Sequence, residues 1–229
     1  LIETLPEGPL DVVGDVHGEY DALLALLGRL GYGASGAHAD NRTLIFVGDL
    51  CDRGPDSVRV IRLVRGLVEA GKALAIVGNH ELNLLRDEAK DGSGWYFDER
   101  VAADQRYQPF ARPSPGDRLE IRRFLETLPV VLERQDLRVV HAAWQPKDIE
   151  IVRHSSGETA HQLYDRYQSQ VDDALMADGR YQRYLDAKNK WKAELEDQAF
   201  EMPFLQGIAD HDVASQAGKI ELPDLASEF

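Results

Sequence analysis

The chain has 229 residues, 43% of them apolar and 29% charged, proportions of an ordinary globular protein rather than of a disordered chain, a collagen or a coiled coil. Its 26 lysines and arginines face 40 aspartates and glutamates, a net charge of −14 that disfavours long nucleic acids and anionic membrane surfaces as partners. No apolar run reaches the roughly 20 residues that cross a bilayer, and a single cysteine, Cys51, excludes an internal disulfide, so no membrane partner and a cytoplasmic location are expected.

Short β-branched runs alternate with helical patterns from Leu10 onward. Strands are predicted at Leu10 to Val13, Thr43 to Val47 and Ala73 to Val77. Between the first two, Leu23, Leu24, Leu26, Leu27 and Leu30 recur near period 3.6 and stop at Gly31; between the next two, Val58, Ile61, Leu63, Val64, Leu67 and Val68 do so and stop at Gly71. Strand, helix, strand, helix, strand implies a parallel sheet with right-handed crossovers. Residues 91 to 117 hold Gly92, Gly94, Pro109, Pro113, Pro115 and Gly116 among aromatics, the pattern of a long surface loop. Val130 to Glu133 and Leu137 to Val140 read as an antiparallel hairpin. After His141 the texture turns helical, with amphipathic helices expected from about Thr159 to Ala177 and Tyr181 to Phe200, and strand patterns only at Ile149 to Val152 and Lys219 to Leu222. No pattern specifies an oligomeric state, which stays unknown.

Each of the first three strands runs into a turn that carries glycine beside metal-binding residue types: Gly14-Asp15-Val16-His17-Gly18, Gly48-Asp49-Leu50-Cys51-Asp52-Arg53-Gly54 and Gly78-Asn79-His80-Glu81. The second strand of the hairpin ends at His141. Ligands of open α/β sheets gather outside the carboxyl ends of the strands, so four turns far apart in the chain are expected to converge on one crevice. Carboxylate and amide oxygens mixed with imidazole nitrogens suit Mn, Fe, Zn or Mg, not a thiolate site, and manganese is favoured. Cys51 reads as a small buried hydrophobe.

These motifs resemble the phosphoprotein phosphatase branch of the calcineurin-like metallophosphoesterases over about Leu10 to Ala143. The resemblance implies an α/β fold of two packed mixed sheets flanked by helices, in a core of residues 1–158. A helical insert or cap and tail, residues 159–229, would follow, with the second sheet possible only in part from this chain. It further implies two divalent cations: Asp15 and His17 on the first, Asp49 shared, Asn79 and His141 on the second. His80 corresponds to the histidine facing the leaving group, Asp52 to its carboxylate partner, and Arg53 to a guanidinium that clamps phosphate oxygens. The implied activity is hydrolysis of phosphate monoesters by a metal-activated hydroxide.

Two features depart from that pattern. Trp144 follows His141 where the family has small residues, and the histidine that usually completes the second metal has no counterpart in its usual setting; His154 and His161 are poor substitutes and His211 a weak candidate. Since the sequence starts at Leu1 instead of Met and ends at Phe229, it is expected to be part of a longer product. The substrate is a phosphorylated one, either a phosphoprotein, as for a serine/threonine phosphatase, or a small phosphoester. The alternatives are a dinucleoside polyphosphate or nucleotide phosphohydrolase and a non-catalytic metal- or phosphate-binding module. Intact His80, Asp52 and Arg53 favour catalysis, because a binding module needs no leaving-group acid.

Overall fold

The computed structural model describes residues 1–155, 157–177, 179, 181–183, 185–186 and 189–190. Most of the helix expected from Tyr181 to Phe200, the strand pattern Lys219 to Leu222 and His211 lie outside the described residues. The chain divides after Ser169 into two units, and the two sheets and the site belong to the first.

Two three-stranded sheets build this unit. One holds β2 (Leu10–Val13), β3 (Thr43–Phe46) and β4 (Ala73–Ala75), parallel and in that order. Helices α1 (Tyr20–Leu30) and α2 (Ser57–Glu69) make the crossovers, as the alternating pattern predicts. The other sheet holds β1 (Ile2–Thr4), β5 (Val131–Glu133) and β6 (Arg138–Val140), with β5 parallel to β1 and antiparallel to β6. Strand β1 was not among the predicted elements; three residues carry too little periodicity to be read as a strand.

Strand alternation sorts the core into two layers. In β3, Leu44 and Phe46 point into the large cluster shared with α1 and α2. Ile45, between them, points the other way and meets Leu5, Leu132 and Val139, so the sheets pack face to face across a second apolar layer. Each helix starts or stops where a side chain or glycine satisfies its end. Asp56 accepts from the Arg59 amide at 2.9 Å at the start of α2, and Gly31 closes α1 at φ 91°.

The stretch from 91 to 117 differs from the expected surface loop. It contains three short 3-10 turns, and Trp95, Tyr96 and Phe97 sit in the main core at 1%, 4% and 9% exposure. Its end is the start of helix α4 (Pro115–Leu125), where the Ser114 hydroxyl accepts from the Asp117 amide and Asp117 accepts from the Ser114 amide. A further short helix, α3 (Asn79–Leu85), begins directly on the third glycine turn. Ile149 to Val152 is helical, not a strand, within α5 (Pro146–His154). Proline at the first helical position fixes φ there, and Ile149 turns inward. Helix α6 spans Ala160–Ala177, one residue shorter than expected at its start. No described helix is long and apolar enough to cross a membrane.

Beside β2, Arg42 donates through Nε and Nη2 to the two oxygens of Asp11 at 2.7 and 2.5 Å, and the Tyr32 hydroxyl donates to the same carboxylate at 2.7 Å. The Arg42 bonds, helped by Tyr32 and opposed by burial, hold the Asp11 carboxyl down to about 2 from an ordinary 3.8. A carboxylate with a depressed folded-state pKa stabilises the fold above its unfolded pKa and loses that contribution as pH falls through the folded one. Because the Arg42 side chain is 31% exposed, solvent screening reduces the effect to about 1 kcal/mol. Asp11→Asn should therefore lower urea stability by about 1 kcal/mol at pH 7, with the gap to the parent closing between pH 4 and about pH 2. A gap unchanged at pH 2.5 would contradict this account.

Candidate metal centre

The four turns converge. Asp15 and His17 follow β2, Asp49 follows β3, Asn79 opens α3 and His141 follows β6. The site is assembled by backbone in rare conformations: His17, Asp49, Asp52 and Arg53 have φ of 45°, 49°, 72° and 65°. Such strain persists only where surrounding structure enforces it and clusters at functional sites. Here the enforcement is close backbone packing. A Cβ on Gly78 would lie 2.3 Å from Asp49 Oδ1, and one on Gly54 would lie 2.0 Å from the His17 carbonyl oxygen, so both turns admit glycine alone.

Two imidazoles are oriented by the same device. His17 Nδ1 donates to the Cys51 carbonyl at 2.9 Å and His141 Nδ1 to the Val47 carbonyl at 2.7 Å. A carbonyl can only accept, so each Nδ1 carries a proton and each ring turns its Nε2 to the crevice. His141 Nε2 lies 2.9 Å from Asn79 Oδ1 and 3.5 Å from Asp49 Oδ2. His17 Nε2 lies 4.0 Å from both Asp15 Oδ2 and Asp49 Oδ2 and accepts from Arg53 Nη1 at 2.9 Å. An imidazole nitrogen, an amide and a carboxylate oxygen thus face one another at short range around His141. The oxygen and imidazole donors gathered there are those of a divalent metal.

Ligand atoms of Asp15, Asp49 and His141 lie within 4.8 Å of one another, and so do those of His17, Asp49 and His80. Asp49, 4% exposed, is common to both groups. The geometry therefore brings together all five residues expected as ligands. It also draws Asp15 toward His141 as well as His17, a grouping the sequence pairing did not contain. Neither His154 nor His161 belongs to these groups, and Trp144 packs under the Arg138 guanidinium at 5.0 Å.

One member of the second group, His80, also forms a buried dyad with Asp52. His80 Nδ1 and Asp52 Oδ2 are 2.6 Å apart, and the two residues are only 6% and 2% exposed. His80 Nε2 faces Asp49 Oδ2 at 3.9 Å, and its ring meets that of His17 edge-on at 4.7 Å between centroids. Burial alone would lower the proton affinity of His80. The Asp52 hydrogen bond and the charges of Asp52 and Asp49 outweigh it and raise that affinity above the ordinary histidine value.

A model of the calcineurin-like phosphoesterase family matches residues 8–179. The chain belongs to that family. Members of the calcineurin-like phosphoesterase family depend on divalent metals, which agrees with the donor set. The chain is 38% identical to the asymmetrical bis(5'-nucleosyl)-tetraphosphatase PrpE of Bacillus velezensis over 61% of its own length and 58% of that protein's. It is 51% identical to the PrpE of Halalkalibacterium halodurans over 33% of its own length and 32% of the relative's. The chain thus spans less than two thirds of the length of these relatives. A solved cold-active protein-tyrosine phosphatase from a psychrophilic Shewanella is 22% identical, with a TM-score of 0.43 over 65% of this chain and 47% of that one.

Two site-forming residues escaped the sequence reading. Glu81 is fully buried, and its carboxylate accepts from the amides of Asp49, Leu50 and Gly78 at 2.8, 2.8 and 2.9 Å, with the Cys51 thiol also directed at it. It ties the second turn to the third. Burial and the nearby Asp49 charge push Glu81 up, against these donors. Burial likewise pushes the Cys51 thiol well up, as expected of an inert core residue. Trp95 is the second omission: its indole N–H donates to Asp52 Oδ1 at 2.6 Å.

Proposed function

We propose that this protein hydrolyses dinucleoside polyphosphates with two divalent cations held by Asp15, His17, Asp49, Asn79 and His141. The observation that carries this reading is the set of oxygen and imidazole donors converging on Asp49, beside a histidine whose Nδ1 is paired with the buried Asp52 carboxylate. The names of the curated relatives favour a dinucleoside tetraphosphate over the phosphoserine or phosphothreonine substrate among the sequence-based expectations. Manganese is the preferred ion, because the donors are hard oxygens mixed with imidazole.

When bound, such cations lower the pKa of a water toward neutrality and offset the charge of phosphate oxygens. The side chains supply the rest. Asp49, Asn79 and the two Nε2 atoms would hold the cations, and His80, whose Nε2 faces the same crevice, would supply a proton to the departing oxygen. Asp52 orients that ring and balances its charge. Arg53 now donates to His17; releasing that bond frees its planar fork for two phosphate oxygens.

A substrate panel tests the proposal. After chelation and addition of Mn, Mg or Zn in turn, the protein should hydrolyse diadenosine tetraphosphate faster than a phosphoserine peptide or a nucleoside monophosphate. Cleavage at an outer anhydride yields unequal nucleotides, a triphosphate and a monophosphate; central cleavage yields two equal diphosphates. Preference for the phosphopeptide would move the substrate to proteins. No turnover with any ion, despite metal binding, would leave the non-catalytic module standing.

A further inference from the structure

We infer that Trp95 is a positioning residue for the leaving-group step: its indole N–H holds the Asp52 carboxylate so that Asp52 keeps His80 aimed into the site. This inference rests on the hydrolytic reading above and adds a residue to it.

The two oxygens of Asp52 are divided between two partners. Oδ2 meets His80 Nδ1 at 2.6 Å and Oδ1 accepts from Trp95 Nε1 at 2.6 Å. All three residues are buried, Trp95 at 1%, Asp52 at 2% and His80 at 6% exposure. A charged oxygen out of water needs a donor, and the indole N–H is the side-chain donor that reaches Oδ1. Without it, the carboxylate would rotate toward any remaining donor, and rotation about its last bond swings Oδ2 off the imidazole. Aromatic bulk alone cannot perform this role, because packing against a carboxylate does not fix which oxygen faces His80.

Anchors independent of the ring hold the loop that carries Trp95. The Gly92 carbonyl accepts from the Arg53 amide at 2.9 Å, and a Cβ on Gly92 would come within 2.6 Å of Arg53 Cγ. Fully buried Asp104 accepts from the Gly94 amide at 2.7 Å and from Arg100 Nη2 at 2.7 Å. Asp91 further accepts from Arg106 and the Tyr107 hydroxyl, both at 2.7 Å. The loop therefore keeps its course when the indole loses its N–H, and the loss falls on Asp52.

In the step concerned, the bond from phosphorus to the leaving oxygen breaks and its electron pair stays on that oxygen. The proton on His80 Nε2 moves to it as the oxygen of a water bonds to phosphorus, and the imidazole then regains a proton from solvent. A basic leaving oxygen depends on that proton; a very acidic one does not.

The test compares phenyl phosphate with 2,4-dinitrophenyl phosphate at saturating divalent metal. For Trp95→Phe, kcat on the phenyl ester should fall about tenfold with KM within about twofold, while kcat on the dinitrophenyl ester stays within about twofold. In an Asp52→Asn background the same substitution should add no further loss. If Phe leaves a cavity that unfolds the chain, benzothienylalanine at position 95 keeps the bicyclic shape with sulfur in place of N–H, and the same split is expected. Equal losses on both esters, or none on either, would overturn the inference while leaving the hydrolytic reading intact. A parent chain that hydrolyses neither ester nor diadenosine tetraphosphate overturns the hydrolytic reading, and the inference falls with it.

Discussion

Glu81→Ala is expected to lower the melting temperature by about 10 °C and to remove turnover together with tight metal binding. The reasoning starts from three amides. Asp49, Leu50 and Gly78 donate to the Glu81 carboxylate at a place with no exposure, and each buried donor left without an acceptor costs about 1–3 kcal/mol. Removing a carboxylate that burial has already destabilised returns part of that sum, so the net loss is about 3 kcal/mol. For a chain of this size that corresponds to about 10 °C. The functional loss is larger than the thermal one, because the freed amides belong to the turn that aims Asp49, the residue common to both ligand groups. Glu81→Gln should rescue little: its carboxamide NH2 would confront N–H groups that need an acceptor. Thermal melting and metal titration of both variants check this. Parent-like metal affinity in Glu81→Ala would show that the turns hold without their tie.

Much of this site was legible in the sequence, and the reason is local. A glycine turn after a strand is set by its own few residues, and three such turns in βαβ order can only meet at one sheet end. The parallel sheet, its crossover helices and the hairpin followed from periodicity for the same reason. What escaped was set by distant partners. Glu81 reads as an ordinary first-turn acid of α3, and only the folded chain shows three amides from two other places pointed at it. Trp95 lies among glycines and prolines that read as exposed loop, yet Asp52 and the core claim it. Helix α4 carried a signal that was available: Ser114, Pro115 and Asp117 form a start box, overshadowed by the prolines around it. Ile149 to Val152 misled because a four-residue segment with three apolar residues fits a strand or one buried helix face equally well, and Pro146 decided it.

His80→Asn is expected to lower kcat by about 10²- to 10⁴-fold on a basic leaving group while leaving the metal content of the protein unchanged. The second half of that expectation is the demanding one, because the His80 ring stands within 4.8 Å of His17 and Asp49 ligand atoms and a ligand role is the competing reading. Two observations weigh against it. The other two site imidazoles are oriented by backbone carbonyls, whereas His80 Nδ1 is paired with a buried carboxylate. Against the effect of burial, Asp52 and Asp49 raise its proton affinity in the metal-free protein, which favours a proton donor over a ligand. The substitution also spares the contact that orients Asp49, since the backbone amide of residue 80, not its side chain, donates to Asp49 Oδ1 at 3.1 Å. Elemental analysis alongside kcat separates the readings. Lost turnover with two ions retained fits a proton donor; one ion lost with the same substitution would make His80 a ligand and leave the departing oxygen without an acid.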